Sequence, residues 1–595
     1  MTDPWAGVGT VDKVLELRAA ETPHAVAFRE EACTGRWNSV SWHDFSMRVA
    51  KCSCALYAAG LRKGDRLALI TPVSLEWELL HYAALAMGAV VVGLDAHDLP
   101  ERIAIMAEQA EIVAFAISDL RVLSQINADR LAGCRFLLDL GDPQSGGDRP
   151  PGIRVLTLPE LDAVGASTKR VPEPPTTDDI ATIIFTSGTT GAPKGIAYSH
   201  GQVCLAIDAI SNAFHIVGHN SRLLCWLPLS NLFQRIVNLA GMRSGAATYL
   251  LGDPRRVMEV VAMVSPDIFV GVPRFYEKLY DGIRDNISAL PPLRRRMVES
   301  AWDIGRRASR YRLAELAMPP QLALAHSIAD RTVLKRIRSV MGKRLRCMVT
   351  GSAPMSQHLL EEFHALGWLV LEAYGLSENV LPMAMNRMDD FRFGTVGRPL
   401  PGNQIVAAQD GAIKVRGAGV FSGYLGEDEQ PPLDVNGFYL TGDLGRFDAD
   451  GFLSLTGRSG DVIKTSTGRR VAPAGVEAQL RGVSGIDQAV LFGAGRKCLV
   501  AICTCAVGLD ETARACLKRA LRDQASRIYE HERPTAILLI ERPFSIELGE
   551  LTTNLKVRRA VIETKYATRI ADLYARIDEL PRAHGDELTV VSCAE

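Results

Sequence analysis

The sequence predicts an α/β protein: a large N-terminal body of parallel, βα-layered sheets, a β-meander or barrel subdomain attached to it, and a small α+β C-terminal domain. Three changes of texture along the 595 residues carry that prediction. Short apolar runs alternate with helical patterns from about Lys63 to Gly375, Asn-Gly and Asp-Gly turns divide short strands after Gly394, and a shorter strand-and-helix unit begins beyond Arg458. The body is therefore placed at 1–457, with 395–457 as its β-rich part, and the small domain at 458–595.

The strands of the body are expected at Arg66 to Ile70, Ala89 to Leu94, Ile112 to Ile117, Arg135 to Leu140, Ile180 to Thr186, Arg222 to Leu227, Ala247 to Leu251, Ile268 to Gly271, Arg346 to Thr350 and Leu369 to Ala373. They are nearly continuous apolar runs separated by helical stretches, as strands covered on both faces require. Asp410-Gly411, Asn436-Gly437 and Asp450-Gly451 are hairpin turns, because these pairs accept positive φ. In the small domain, strands are expected at Ala489 to Phe492, Cys498 to Cys505 and Ala536 to Glu541, with helices over Glu511 to Tyr529 and from Val557 onward. The tail from Ala575 to Glu595 is read as the end of a helix stopped near Pro581, then a frayed end.

Composition narrows the function. Sixty-seven Lys plus Arg against 68 Asp plus Glu leave a net charge of −1, unlike the basic excess of a nucleic-acid binder. With 47% hydrophobic and 23% charged residues the chain is an ordinary globular one. Charged or Pro-interrupted positions break every apolar run before the 18 or so residues a spanning helix needs, and Met1 to Gly7 has neither the basic nor the apolar region of a signal peptide. The expected compartment is the cytoplasm. The twelve Cys lack metal-ligand spacing and are expected to be reduced and hydrophobic. His97 between Asp95 and Asp98 is read as a loop residue rather than a metal ligand, and His200 as packing at a helix start.

The strongest chemical signal is the run Ile183 to Gly195, in which an apolar strand ends in Thr186, Ser187, Gly188, Thr189, Thr190 and Gly191 before Lys194. Glycines let backbone N–H groups approach an anion, hydroxyls add donors and Lys adds charge, which suits a polyphosphate. It is not a Walker A loop, since Pro193 precedes Lys194 and Gly195 follows it.

This run resembles the signature loop of the adenylate-forming enzymes, the superfamily of acyl-CoA synthetases, luciferases and peptide-synthetase adenylation domains. Further segments resemble that family in its order. Glu372-Ala373-Tyr374-Gly375-Leu376-Ser377-Glu378 is similar to its adenine-binding element, with Glu378 implied to hold Mg²⁺ and Ser377 in place of Thr. Gly351-Ser352-Ala353 is similar to the small-residue turn at adenine. Asp443 in Tyr439 to Asp443 matches the acceptor of the ribose hydroxyls, and Leu455 to Arg458 the Gly-Arg that closes the large domain. Leu551 to Arg559 is similar to the loop that delivers the catalytic Lys, here Lys556. Phe269 to Lys278 and an inserted helical region, Ala301 to Leu345, resemble the long-chain acyl-CoA synthetases, which implies a fatty or other bulky hydrophobic acid.

The resemblance implies two half-reactions. A carboxylate attacks the α-phosphorus of ATP, with Lys194, Lys556 and Glu378 as catalytic residues and the loop from Thr186 holding phosphates; then a thiol attacks the acyl-adenylate. It also implies that the small domain rotates between the halves. The acyl pocket is expected near Asn231, Val272, Phe275 and Gly351, and CoA contacts at Gly468, Arg469 and Arg470. Two positions depart from the family: Gly460 stands where the hinge is usually Asp or Lys, and Asn231 where relatives often carry His, so no proton can be carried there. CoA is the expected acceptor; an acyl carrier protein is one alternative, and a degenerate nucleotide-binding sensor or scaffold another. Between Arg294 and Arg346 stand 14 Lys plus Arg against 4 Asp plus Glu, read as solvated helix faces or as a contact for an anionic lipid surface or polyphosphate.

Overall fold

The computed structural model describes all residues except 1–4, 6, 34, 97, 125, 127–130, 132, 142–151, 167–171, 187–192, 427–432, 546–547, 552–556, 580–588 and 594–595. His97, Ser187, Gly188, Thr189, Thr190, Gly191 and Lys556 thus lie outside the described residues.

A seven-stranded sheet runs in the order Arg154–Thr157, Phe136–Asp139, Ile112–Ile117, Arg66–Ile70, Val90–Gly93, Ile180–Thr186, Lys194–Ser199. All its pairings are parallel except the last, a hairpin. The apolar strands of the prediction pack here between helices, and Val91, Ala114, Leu67 and Leu137 are wholly buried. A second sheet has Ile268–Gly271, Cys347–Thr350 and Val370–Tyr374 parallel, with two short antiparallel strands beyond. A third joins Arg222–Cys225 and Ala247–Leu250 to a hairpin, Val26–Cys33 with Arg36–Ser41, that brings the N-terminus into the body.

The β-rich part is a four-stranded antiparallel meander: Gln404–Ala407, Ala412–Arg416, Tyr439–Phe447 and Leu453–Arg458. Gly411, Gly437 and Gly451 all take positive φ, at 84°, 76° and 83°, as the turn chemistry requires.

Beyond it, Ile486–Phe492, Leu499–Cys505 and Pro534–Ile540 form the sheet of the small unit. Its two apolar clusters draw only on residues from Ile463 onward, whereas the clusters of the body end by Leu455. The helix expected to reach Tyr529 stops at Ala525. The tail departs from expectation more strongly. Thr589–Cys593 is not frayed but a fourth strand, parallel to Pro534–Ile540. Its Thr-Val-Val run suits a pleated surface, and the neighbouring strand edge supplies partners for its backbone groups.

The free cysteines are mostly buried, Cys52, Cys204, Cys225, Cys347, Cys503 and Cys505 among them, and among the described residues no His, Cys, Asp and Glu group could by itself hold a metal. No helix among them is long and apolar enough to cross a membrane.

Candidate active site

Three of the sequence-marked segments end parallel strands. Thr186 closes Ile180–Thr186, Gly351 follows Cys347–Thr350, and Tyr374 ends Val370–Tyr374. Carboxyl ends of parallel strands are where ligands bind in open α/β sheets, because connections that leave to opposite faces open a crevice there toward which the following helix N-termini point.

Tyr374, Asp443 and Arg458 meet there. The Tyr374 hydroxyl donates to Asp443 Oδ2 at 2.6 Å and Arg458 Nε to Asp443 Oδ1 at 3.0 Å. Asp443 and Arg458 are register partners on adjacent meander strands, and the Thr441 hydroxyl accepts the Asp443 N–H at 3.0 Å. Burial, then the neighbouring Asp443 carboxylate, pushes the Tyr374 phenol above its ordinary range, so it stays a donor. Leu455 is half-buried against the apolar cluster that also holds Tyr374.

A second array joins the phosphate-loop hairpin to Glu378. Lys194 is the register partner of Thr186, and its ammonium sits 4.5 Å from the centre of the Tyr424 ring. The Tyr424 hydroxyl donates to Glu378 Oε1 at 2.9 Å. The hairpin is seated by the Leu425 N–H, which donates to Gly195 O at 2.9 Å, and by Tyr198, whose hydroxyl donates to the Ser377 carbonyl. Gly195 sits close beneath Leu425, whose Cδ1 would lie 2.6 Å from a Cβ here and would have to turn aside for any larger residue. Tyr198 and Tyr424 are parts of the site that motif reading missed; Tyr424 lies in Gly423-Tyr424-Leu425, where no spacing distinguishes it from an ordinary packed aromatic.

Glu372 is buried beside this region. Burial pushes its carboxyl up to about 8, against the opposing pull of the Met355 N–H. One carboxyl oxygen and the hydroxyl of its register partner Thr350 are both buried with no partner among the described residues. Ser352, in the turn after Gly351, takes φ of 70°, an uncommon conformation for a residue with a Cβ. Gly351 faces the Ala373 carbonyl, which a Cβ would approach to 3.2 Å.

The family model described as AMP-binding enzyme matches residues 15–425, and that described as AMP-binding enzyme C-terminal domain matches 460–578. This chain belongs to the AMP-binding enzyme family. Long-chain-fatty-acid--CoA ligase FadD15 of Mycobacterium tuberculosis is 30% identical to this AMP-binding enzyme over 571 residues, which cover 91% of the chain and 93% of the relative. Long-chain-fatty-acid--CoA ligase 1 of Homo sapiens is 29% identical over 467 residues, covering 72% and 65%. Among solved structures, the AMP complex of the A-PCP didomain of carboxylic acid reductase from Segniliparus rugosus superposes with a TM-score of 0.76 at 22% identity, covering 97% of this chain and 83% of that one. ATP-bound MatB from Rhodopseudomonas palustris gives 0.69 at 21% identity, covering 94% and 99%. These two likenesses establish the fold.

The acyl-pocket candidates divide in this AMP-binding enzyme. Asn231 is the N-cap of the helix Leu232–Ser244, its side chain accepting the Phe233 N–H at 3.1 Å, a role that an amide performs well. Phe275 is buried between Trp226 and Phe269, with ring centres 5.3 and 4.6 Å away, and Val272 is the N-cap residue of Pro273–Ser288. Trp226 is oriented by donating to Val270 O at 2.8 Å. Gly468 turns a hairpin at φ of 82°, with Arg469 and Arg470 exposed beside it. Gly460 lies in the exposed single turn Ser459–Asp461, with nothing near its absent Cβ. His200 packs, fully buried, with Nδ1 accepting the Val11 N–H at 3.4 Å.

The small unit touches the body through Arg274, which pairs with Asp487 on the first strand of the small unit and with Glu277 on its own helix at 3.4 Å.

Proposed function

We propose that this AMP-binding enzyme is an acid–thiol ligase that joins a fatty or other hydrophobic carboxylic acid to ATP, forming acyl-AMP and pyrophosphate, and then passes the acyl group to CoA. The observation that carries the site assignment is the convergence of Tyr374, Asp443 and Arg458 with Lys194, Tyr424 and Glu378 at the carboxyl ends of the parallel strands. The length and names of the relatives support a long-chain acid as substrate.

Both reactants of the first half are anionic, so the site must supply positive charge and fixed donors. Asp443 accepts the ribose hydroxyls while Tyr374 and Arg458 hold its carboxylate in place. Thr186 through Gly191 and Lys194 hold the β- and γ-phosphates, and Gly351, Ser352, Ala353, Glu372, Ala373, Tyr374, Gly375 and Ser377 surround the base. Lys556 bridges the attacking carboxylate and the α-phosphate. Glu378 is a single protein carboxylate whose other oxygen neighbours would be phosphate and water, the donor set that Mg²⁺ prefers; bound there, Mg²⁺ neutralises phosphate charge. Arg469 and Arg470 offer charge to the CoA phosphates in the second half. Residues 1–457 and 458–595 act as two units, with Gly460 as the pivot between them; the division of their apolar clusters supports this.

Acid-dependent ATP–pyrophosphate exchange over a panel of carboxylic acids, repeated with Lys556→Ala, tests the first half. No exchange with any acid defeats the ligase reading and leaves the sensor. Exchange without a thioester on adding CoA, but with one on adding a carrier protein, moves the acceptor to the carrier.

We further propose that the basic stretch 294–346, with the start of its first helix, rests on an anionic membrane surface. Part of its basic excess is used within the fold, as in Arg306 with Glu362 and Arg344 with Asp267. Pro291 to Met297 is nevertheless exposed throughout. Leu293 and Met297, 79% and 61% exposed, share a helix face four residues apart and flank Arg294, Arg295 and Arg296, while Leu324 and Ile328 repeat that spacing on the next helix. Exposed apolar side chains among arginines match an interface with acyl chains below and anionic headgroups above. Sedimentation with phosphatidylglycerol vesicles, and its loss in an Arg294→Gln, Arg295→Gln, Arg296→Gln variant, checks this; equal binding to neutral vesicles overturns it.

A further inference from the structure

Glu550 occupies the connection between the third strand and the last helices of the small unit, and it is wholly buried. Arg542 donates to its carboxylate from both terminal nitrogens at 2.8 Å. Lys565 Nζ donates at 2.8 Å, the Ser545 N–H at 3.2 Å and the Tyr566 hydroxyl at 3.4 Å. Burial alone would raise this carboxyl, but Arg542 and Lys565 outweigh it and hold it at about 2, so it is an anion throughout the working pH range.

The main chain of the same residue is gripped as well. The Glu550 N–H donates to Ser545 O at 3.1 Å, and the Arg558 N–H donates to Glu550 O at 2.9 Å. Next to it, Leu551 forms an antiparallel bridge with Val557. Both flanks of 552–556 therefore meet at one point, and that point is held to a strand end by Arg542 and to the helices by Lys565 and Tyr566. Val557 is covalently joined to Lys556.

A buried carboxylate held by cations is weak evidence for stability, since its desolvation offsets their attraction, and fixing a local register is an attested use of such a group. We propose that Glu550 is a positioning residue for acyl-adenylate formation: it fixes the Leu551–Val557 pinch, whose second member follows Lys556 directly in the chain. Glu550 itself touches no substrate. The proposal rests on the reading of Lys556 as the cation of the first half-reaction.

The test compares Glu550→Gln with Lys556→Ala in the full chain. We expect Glu550→Gln to lower kcat of acid-dependent ATP–pyrophosphate exchange by ~10–100-fold, the scale of a misplaced catalytic group. KM for ATP, and thioester formation from supplied acyl-AMP and CoA, should stay within about 3-fold, because only a transition-state contact is lost. Amide hydrogen exchange should rise at Leu551, Val557 and Arg558 in the same variant. Wild-type exchange kinetics, or an equal loss in both half-reactions, overturns the positioning role. If Lys556→Ala keeps full exchange activity, the Lys556 reading fails instead. Should Glu550→Gln unfold, the double variant Arg542→Gln, Glu550→Gln removes one cation with the anion, leaves Lys565 near solvent to hydrate, and is read by the same assays.

Discussion

Tyr374 and Asp443 are 69 positions apart in the chain, and the hydroxyl of one lies 2.6 Å from the carboxylate of the other. One residue ends a parallel strand of the body and the other lies in the meander, so this hydrogen bond joins two sheets at the proposed ribose position, while Arg458 holds the same carboxylate from within the meander at 3.0 Å. Charge-assisted hydrogen bonds contribute about 1.5–3 kcal/mol each. Asp443→Asn should therefore raise KM for ATP by ~10–100-fold in the exchange assay, and Tyr374→Phe should have a smaller effect in the same direction.

Tyr424 ties Lys194 to Glu378 through its ring and its hydroxyl. Tyr424→Phe keeps the ring beneath the ammonium and removes only the hydrogen bond, so a loss of about 3–10-fold in kcat/KM is expected. Tyr424→Ala removes both and should cost more. A rise in the Mg²⁺ concentration needed for half-maximal exchange, in Glu378→Gln more than in Tyr424→Phe, checks the order.

Glu372 is protonated in the fold at neutral pH because burial holds its carboxyl at about 8. The unfolded chain releases that proton near the ordinary carboxylate range, so folding stability falls as pH rises from about 4.5 through 8 and is level beyond. Glu372→Gln removes this dependence. Its Tm should be close to wild type near pH 5 and exceed it at pH 8, by an amount equivalent to about 4 kcal/mol.

His200 and His364 slope the other way. Burial holds both rings at about 4, and the His364 ring is hydrogen-bonded to Ser309 Oγ at 2.6 Å. The unfolded chain takes up protons below about pH 6.5 while the fold does not, so stability is full above that pH and falls as pH drops towards 4. A loss of ~2 kcal/mol per histidine by pH 5 follows. Denaturant unfolding from pH 7 to 5 should show it, with a shallower slope in His364→Asn.

Arg274 and Asp487 form a charge pair between body and small unit. Asp487→Asn weakens the contact without emptying space, so folding of each unit should persist while protease cleavage near Ser459 to Asp461 becomes faster. Unchanged cleavage would show that other contacts hold the two together.

Much of the body was legible because its strands are apolar on both faces. Ile112–Ile117, Ile180–Thr186 and Ile268–Gly271 occupy the predicted positions to the residue, and the Asp-Gly and Asn-Gly pairs turn where positive φ is needed. Legibility failed where partners are remote. Thr589–Cys593 has strand-forming residues, yet it is a strand because Pro534–Ile540 offers an edge.

By itself, the sequence determined the layered α/β class, the order of the nucleotide segments and the family they resemble, because glycine, hydroxyl and Lys spacing and apolar periodicity are local properties of a chain. Only the tertiary structure decided that Tyr374 braces Asp443, that Tyr424 links Lys194 to Glu378, and that Glu550 grips both flanks of the segment bearing Lys556. Each of these relations joins residues on different elements, and its distance depends on how the sheets and helices pack rather than on any spacing along the chain.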